Sequence, residues 1–122
     1  MEIQQLLQTY YSGLARKKGW ESVLAEDFEF IGGNMLKSEP IIGKQSYIGV
    51  IDRFGKVFTD VRAKDTFISD QGAFVLANYD YVFPGGKKVN ANVAELWKAK
   101  GGKLCSLRIF FDTESFNALL RG

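Results

Sequence analysis

The chain has no histidine, one cysteine and two prolines among its 122 residues. Without histidine, imidazole general bases, Ser-His-Asp triads and His-ligated zinc are all excluded. Acid–base work then falls to carboxylates, tyrosine or lysine. A single cysteine, Cys105, cannot form an intrachain disulfide, which fits a reducing compartment. An excess of one charge is also lacking: 16 basic against 14 acidic residues leave a net charge of +2, too little to imply steering of nucleic acid. No stretch approaches the ~18–20 apolar residues of a membrane helix. The start MEIQQLLQTYY has neither the basic residues nor the continuous apolar run of a secretory signal. The expectation is a cytoplasmic chain that engages neither nucleic acid nor membrane and uses neither cofactor nor metal.

What is present is apolar material. A hydrophobic share of 46%, with 14% aromatic residues, suffices to bury the core of one domain spanning residues 1–122. The aromatic share suits either a core of large residues or an apolar cavity.

Periodicity organises the chain. Ile3, Leu6, Leu7, Tyr10, Tyr11 and Leu14 share one helical face that ends at Arg16-Lys17-Lys18-Gly19. Trp20, Val23 and Leu24 predict a short second helix over about 21–25. Phe28 and Phe30 flank Glu29 in a short strand ending at Gly32-Gly33, and 34–42, with Pro40, reads as a loop. Tyr47, Val50, Ile51, Phe54 and Phe58 form a further helical face, stopped near Gly55. Residues 61–69 read as a strand and Asp70-Gln71-Gly72 as a hairpin turn. Three long strands follow in the stretch from Ala73 to Phe116, joined by Pro84-Gly85-Gly86 and Lys100-Gly101-Gly102-Lys103. Asp112 or Thr113 then caps a short helix carrying Phe116, Leu119 and Leu120. This order predicts an α+β fold, with one curved antiparallel sheet wrapped around the N-terminal helices as a cone with a pocket.

Strand parity points to the chemistry. One face of the middle long strand holds Val89, Ala91, Val93, Glu95, Trp97 and Ala99, and Glu95 is its only charge. A desolvated carboxyl acquires a raised pKa and can donate a hydrogen bond or move a proton near neutral pH. Two bland readings compete: Glu95 is salt-bridged to a lysine or arginine, or sits at the cone mouth in contact with water. On the preceding strand Val75, Ala77, Tyr79 and Tyr81 share the inner face, so Tyr79 and Tyr81 join Trp97 there, as plain core or as ligand contacts. On the last strand Cys105, Leu107, Ile109 and Phe111 point one way, and Leu104, Ser106, Arg108, Phe110 and Asp112 the other. Apolar residues on both sides predict a second copy of the chain over the outer face, hence a homodimer. Asp80 and Arg108 are expected outside, paired across neighbouring strands.

Several segments then resemble the nuclear transport factor 2-like superfamily, which includes SnoaL-like polyketide cyclases and ketosteroid isomerases. They are Leu7-Gln8-Thr9-Tyr10-Tyr11, Leu24-Ala25-Glu26-Asp27-Phe28, Ile42-Gly43-Lys44, and Gly102-Lys103-Leu104 with Ser106-Leu107-Arg108-Ile109-Phe110-Phe111-Asp112. The resemblance covers nearly the whole chain and implies a cystatin-like cone. It matches Glu95, in Ala94-Glu95-Leu96-Trp97, to the isomerase's protonated oxyanion-hole aspartate, and Tyr11, with Tyr10 as the second candidate, to that hole's tyrosine. In that isomerase an apolar site keeps the carboxylic acid neutral. Val93, Leu107, Phe111 and Tyr79 match pocket-lining positions. With Tyr81, Trp97, Val50 and Phe54 they are expected to enclose a small hydrophobic molecule. The chain departs from the isomerase at Phe30-Ile31-Gly32-Gly33, where the general-base aspartate has no counterpart. The implied activity is therefore an isomerase, cyclase or hydratase-like proton transfer other than ketosteroid isomerisation. A non-catalytic binding or assembly module is the alternative.

Overall fold

The apolar stripe Leu6, Leu7, Tyr10, Tyr11 and Leu14 folds as α1 (Ile3–Arg16), and all five side chains are buried. The computed structural model describes residues 2–33 and 35–122. Lys17 closes α1 in the left-handed region (φ 58°), its N–H donating to the Leu14 carbonyl. Its Nζ reaches the carbonyls of Gly55 (2.6 Å) and Phe58 (2.9 Å), tying the end of α1 to the chain that follows the second helix. The chain then doubles back so tightly that a Cβ on Gly13 would lie 2.7 Å from the Trp20 nitrogen.

The helix expected at 21–25 is instead a 3-10 turn over Trp20–Val23. Trp20 and Val23 are buried as expected, but Leu24 and Ala25 already belong to β1 (Leu24–Ile31), because Leu24 pairs with Leu104. The expected loop holds a two-residue strand, β2 (Ile41–Ile42), paired antiparallel to Glu29 and Phe30; Asn34 lies outside the described residues. Helix α2 (Lys44–Phe54) ends where the Gly55 N–H donates to the Ile51 carbonyl (2.7 Å). Phe58 is therefore not on its face. It opens β3 (Phe58–Ser69), from which its ring still meets Phe54 at 5.2 Å.

The remaining strands are β4 (Gly72–Val82), β5 (Lys88–Lys100) and β6 (Lys103–Phe110), followed by α3 (Thr113–Arg121). They form one open sheet in the order β2-β1-β6-β5-β4-β3. Every pairing is antiparallel except β1 with β6, which runs parallel because α2 and four strands, β2 to β5, intervene between them. Register shifts in the β1–β6, β3–β4 and β5–β6 pairs accompany the curvature.

One of these shifts corrects a parity. Ala99 pairs with Leu104 and Lys98 with Ser106, so Cys105 is an extra residue. The bulge turns Leu104 inward, where it is fully buried, rather than onto the outer face. The concave face and α1 together enclose Leu104, Leu107, Val75, Phe28 and Trp97, with the Tyr10 ring 4.6 Å from that of Trp97. On the convex face Asp80 binds Arg62 (2.5 Å) and Asn90 (2.7 Å). Arg108 lies on β6, opposite Leu96 and separated from β4 by β5, so the expected Asp80–Arg108 pair does not form.

Candidate functional site

Alternation along β5 puts Val93, Glu95 and Trp97 on the concave face, with Glu95 flanked across the strands by Val75 and Ile109. Glu95 is 2% exposed. Among the described residues no cation pairs with it, since the ion pairs are Lys44–Glu26, Arg62–Asp60 and Arg62–Asp80. Neither bland reading of Glu95 therefore fits.

Two tyrosines satisfy the carboxyl. The Tyr11 hydroxyl, from α1, donates to Oε1, and the Tyr79 hydroxyl, from β4, donates to Oε2 (2.8 Å). Behind them Trp97 Nε1 donates to the Tyr11 hydroxyl (2.9 Å). A separate pair joins the hydroxyls of Tyr10 and Tyr47 (2.6 Å). Among the described residues no buried side-chain polar atom lacks a partner, so the polar groups in this apolar core form a satisfied network.

Burial pushes Glu95 up to about 7 from an ordinary 4.5, against the two tyrosine hydrogen bonds, which favour the charged form. Burial likewise raises Tyr10, Tyr11, Tyr47, Tyr79 and Tyr81 above the ordinary tyrosine range, and the nearby Glu95 charge adds to this. The cluster thus has one group that changes protonation near neutrality, ringed by hydroxyls that stay protonated.

Glu95 and Tyr79 form part of the wall of a cavity of about 720 Å³. Val50, Phe54, Tyr81, Val93, Leu107 and Phe111 line it too. Tyr11 and Trp97 do not: both side chains lie behind Glu95, packed between α1 and the sheet, so neither is a wall residue. Phe30, Tyr47, Ile51, Ile109 and Phe116, which are not among the expected wall residues, complete the apolar wall. A signal existed for four of them. Tyr47 and Ile51 share a helical face with Val50 and Phe54, Ile109 shares the parity of Leu107 and Phe111, and Phe30 alternates with Glu29. Phe116 reaches the cavity from α3, where its ring packs on Phe54, Tyr81 and Phe111.

The rim carries the exposed residues Leu36, Lys37, Ser38 and Glu39, with Thr113 and Asn117 from α3. Gly32 and Gly33 also line the cavity, so the segment in which the isomerase keeps its base offers no titratable group there. A Cβ on Gly33 would come within 3.2 Å of the Phe111 ring, so even a small side chain would crowd the wall. Among the described residues no group of three or more His, Cys, Asp or Glu side chains converges as a metal site would require. No described helix is long and apolar enough to cross a membrane.

No protein-family model matches the chain, and no curated protein is similar to it in sequence. Solved structures are similar in shape. A nuclear transport factor 2-like protein of unknown function from Burkholderia pseudomallei superposes with a TM-score of 0.85 at 16% identity, covering 100% of both chains. A SnoaL-like polyketide cyclase described as putative, from Jannaschia, gives 0.80 at 14% identity over 96% of this chain and 90% of its own. A Mycobacterium tuberculosis protein in complex with estradiol-17β-hemisuccinate gives 0.77 at 16% identity over 92% and 95%. At these identities the likeness concerns shape alone. The helices, the open curved sheet and these superpositions give the chain the nuclear transport factor 2-like fold.

Proposed function

We propose that the chain binds a small hydrophobic molecule in the cavity below α3 and moves a proton on it with Glu95, as an isomerase, cyclase or hydratase-like enzyme without a cofactor. The observation that carries this reading is one carboxyl, 2% exposed, on the wall of an otherwise apolar cavity and raised to about 7. A group with that pKa is part acid and part base at neutral pH, which suits proton transfer in both directions. No second carboxylate stands opposite it at Gly32-Gly33, so one group both gives and takes the proton. That pattern fits a local proton shift or a loss of water better than a two-base mechanism. The steroid ester bound by the Mycobacterium tuberculosis protein supports an apolar polycyclic ligand.

Exchange of α-hydrogens of 2-tetralone, a neutral bicyclic ketone, into deuterated water tests the proposal without a known substrate. The wild-type chain is expected to accelerate exchange with a midpoint near pH 7, and Glu95→Gln to abolish it while still binding the ketone. Binding without exchange in the wild type would favour the non-catalytic module.

A further inference from the structure

The two tyrosines on Glu95 are not equivalent. A tyrosine hydroxyl has one proton to donate and two lone pairs to accept with, whereas an indole N–H only donates. Trp97 Nε1 therefore gives its proton to the Tyr11 oxygen at 2.9 Å. The Tyr11 proton then has one acceptor within reach among the described residues, Glu95 Oε1. Turning it elsewhere would leave a buried donor unpaired. Oε1 is thus an acceptor whether Glu95 is charged or neutral, and the dissociable proton is left to Oε2.

The partner of Oε2 is Tyr79, at 2.8 Å, and that is the one hydrogen bond the Tyr79 hydroxyl makes among the described residues. When Glu95 is ionised, Tyr79 donates to Oε2. When Glu95 is neutral, Oε2–H donates to Tyr79, whose own proton then has no acceptor among the described residues and turns toward the cavity that Tyr79 lines. Tyr11 faces no such choice and does not line the cavity.

We infer that Tyr79 is the catalytic residue that meets the ligand, delivering the Glu95 proton to a carbonyl or hydroxyl oxygen, while Tyr11 and Trp97 are positioning residues that fix which carboxyl oxygen carries it. This inference rests on the reading of Glu95 as the proton carrier. In the step, the Oε2–H bond breaks as a Tyr79 O–H bond forms. The original Tyr79 O–H bond breaks as the ligand O–H bond forms. Glu95 is left a carboxylate, Tyr79 is neutral again, and the ligand has gained one proton. The substrate class follows: a neutral, largely apolar molecule with an acceptor oxygen at its buried end. A carboxylate at that end would face the ionised Glu95 above pH 7.

The titratable groups around Glu95 are Tyr10 and Tyr11 from α1, Tyr47 from α2, and Tyr79 and Tyr81 from β4. From β6 it faces Ile109, and the charged cavity residues Lys37 and Glu39 are exposed at the rim. Glu95 is therefore the group whose titration switches the Tyr79 hydroxyl.

The infrared carbonyl band of bound 2-tetralone reads that switch. In the wild type the band is expected to move to lower frequency at pH 6 and to relax at pH 8, when Tyr79 turns back to Oε2. Tyr79→Phe is expected to lose the low-frequency band at pH 6 and to bind about tenfold more weakly there, with its fold checked by circular dichroism. Glu95→Gln provides a second variant: its amide donates to the Tyr79 oxygen at any pH, so the shifted band is expected at both pH 6 and pH 8. A shifted band that persists in Tyr79→Phe at pH 6 would mean that Glu95 donates directly, overturning the Tyr79 step and leaving the proton carrier in place. A wild-type band independent of pH, or no binding of the ketone, would overturn both readings.

Discussion

At the scale of the residue, Glu95 costs the fold stability at neutral pH. Its carboxyl titrates near 7 in the folded chain and near 4.5 when exposed. Between those values the folded state holds more protons than the unfolded state, so stability falls as pH rises through that window. Below about 4.5 there is no cost, and above 7 it reaches about 3 kcal/mol. Glu95→Gln keeps the shape and hydrogen bonding of the neutral acid, accepting from Tyr11 and donating to Tyr79, but carries no charge. It is expected to raise the melting temperature at pH 8 and change it little at pH 5, as thermal melts at the two pH values would read. The parity of β5 made the inward position of Glu95 legible in the sequence, because strand side chains alternate strictly. Its partners were less legible. Tyr11 arrives from 84 residues away: the resemblance names it as the partner of Glu95, but no local pattern does, and none says that its ring stays out of the cavity.

At the scale of the element, the strand that carries the site depends on a close backbone approach. The first residue of β4, Gly72, lies so near the Trp97 carbonyl that a Cβ there would be 2.2 Å from the oxygen. Gly72→Ala must therefore displace β5 beside Trp97 and Glu95. A loss of at least about 2 kcal/mol is expected from chemical denaturation, together with weaker 2-tetralone binding. The hairpins around β5 were readable from Gly85-Gly86 and Gly101-Gly102 because tight turns need positive φ, and all four glycines adopt it. The 3-10 turn and β2 were not, since both are set by distant pairing partners: Leu104 for the start of β1, Glu29 and Phe30 for β2. The Cys105 bulge was equally hidden, because an unbroken alternation is the default reading of a strand. Helix α3 illustrates the reverse case. Its amphipathic pattern was plain, and Asp112 caps it through the Ser115 N–H (3.0 Å), yet none of its residues is fully buried. It lies over the cavity through Phe116.

At the scale of the whole molecule, the convex face is the unfinished part of the chain. Register aligns Phe67, Phe74, Leu96 and Arg108 across four strands, with Leu76, Ala94 and Phe110 in the next row. Phe67 is 66% and Phe110 52% exposed, which is costly for aromatic rings in water. We propose that a second copy covers this face. Light scattering at micromolar concentration is expected to give the mass of a dimer and, for Leu96→Glu, that of a monomer; a monomeric wild type would contradict the proposal. The dimer would leave the concave side, and so the cavity, open. The chemistry proposed for that cavity requires the buried Glu95 carboxyl to titrate near neutrality. Carbon-13 labelling of the glutamate side-chain carboxyls, with Glu95 assigned by its absence in Glu95→Gln, allows a direct titration. A midpoint near pH 7, moving higher in Tyr11→Phe as a donor to the charged form is lost, is the expected result. A midpoint near 4.5, as for the exposed glutamates, would contradict the account.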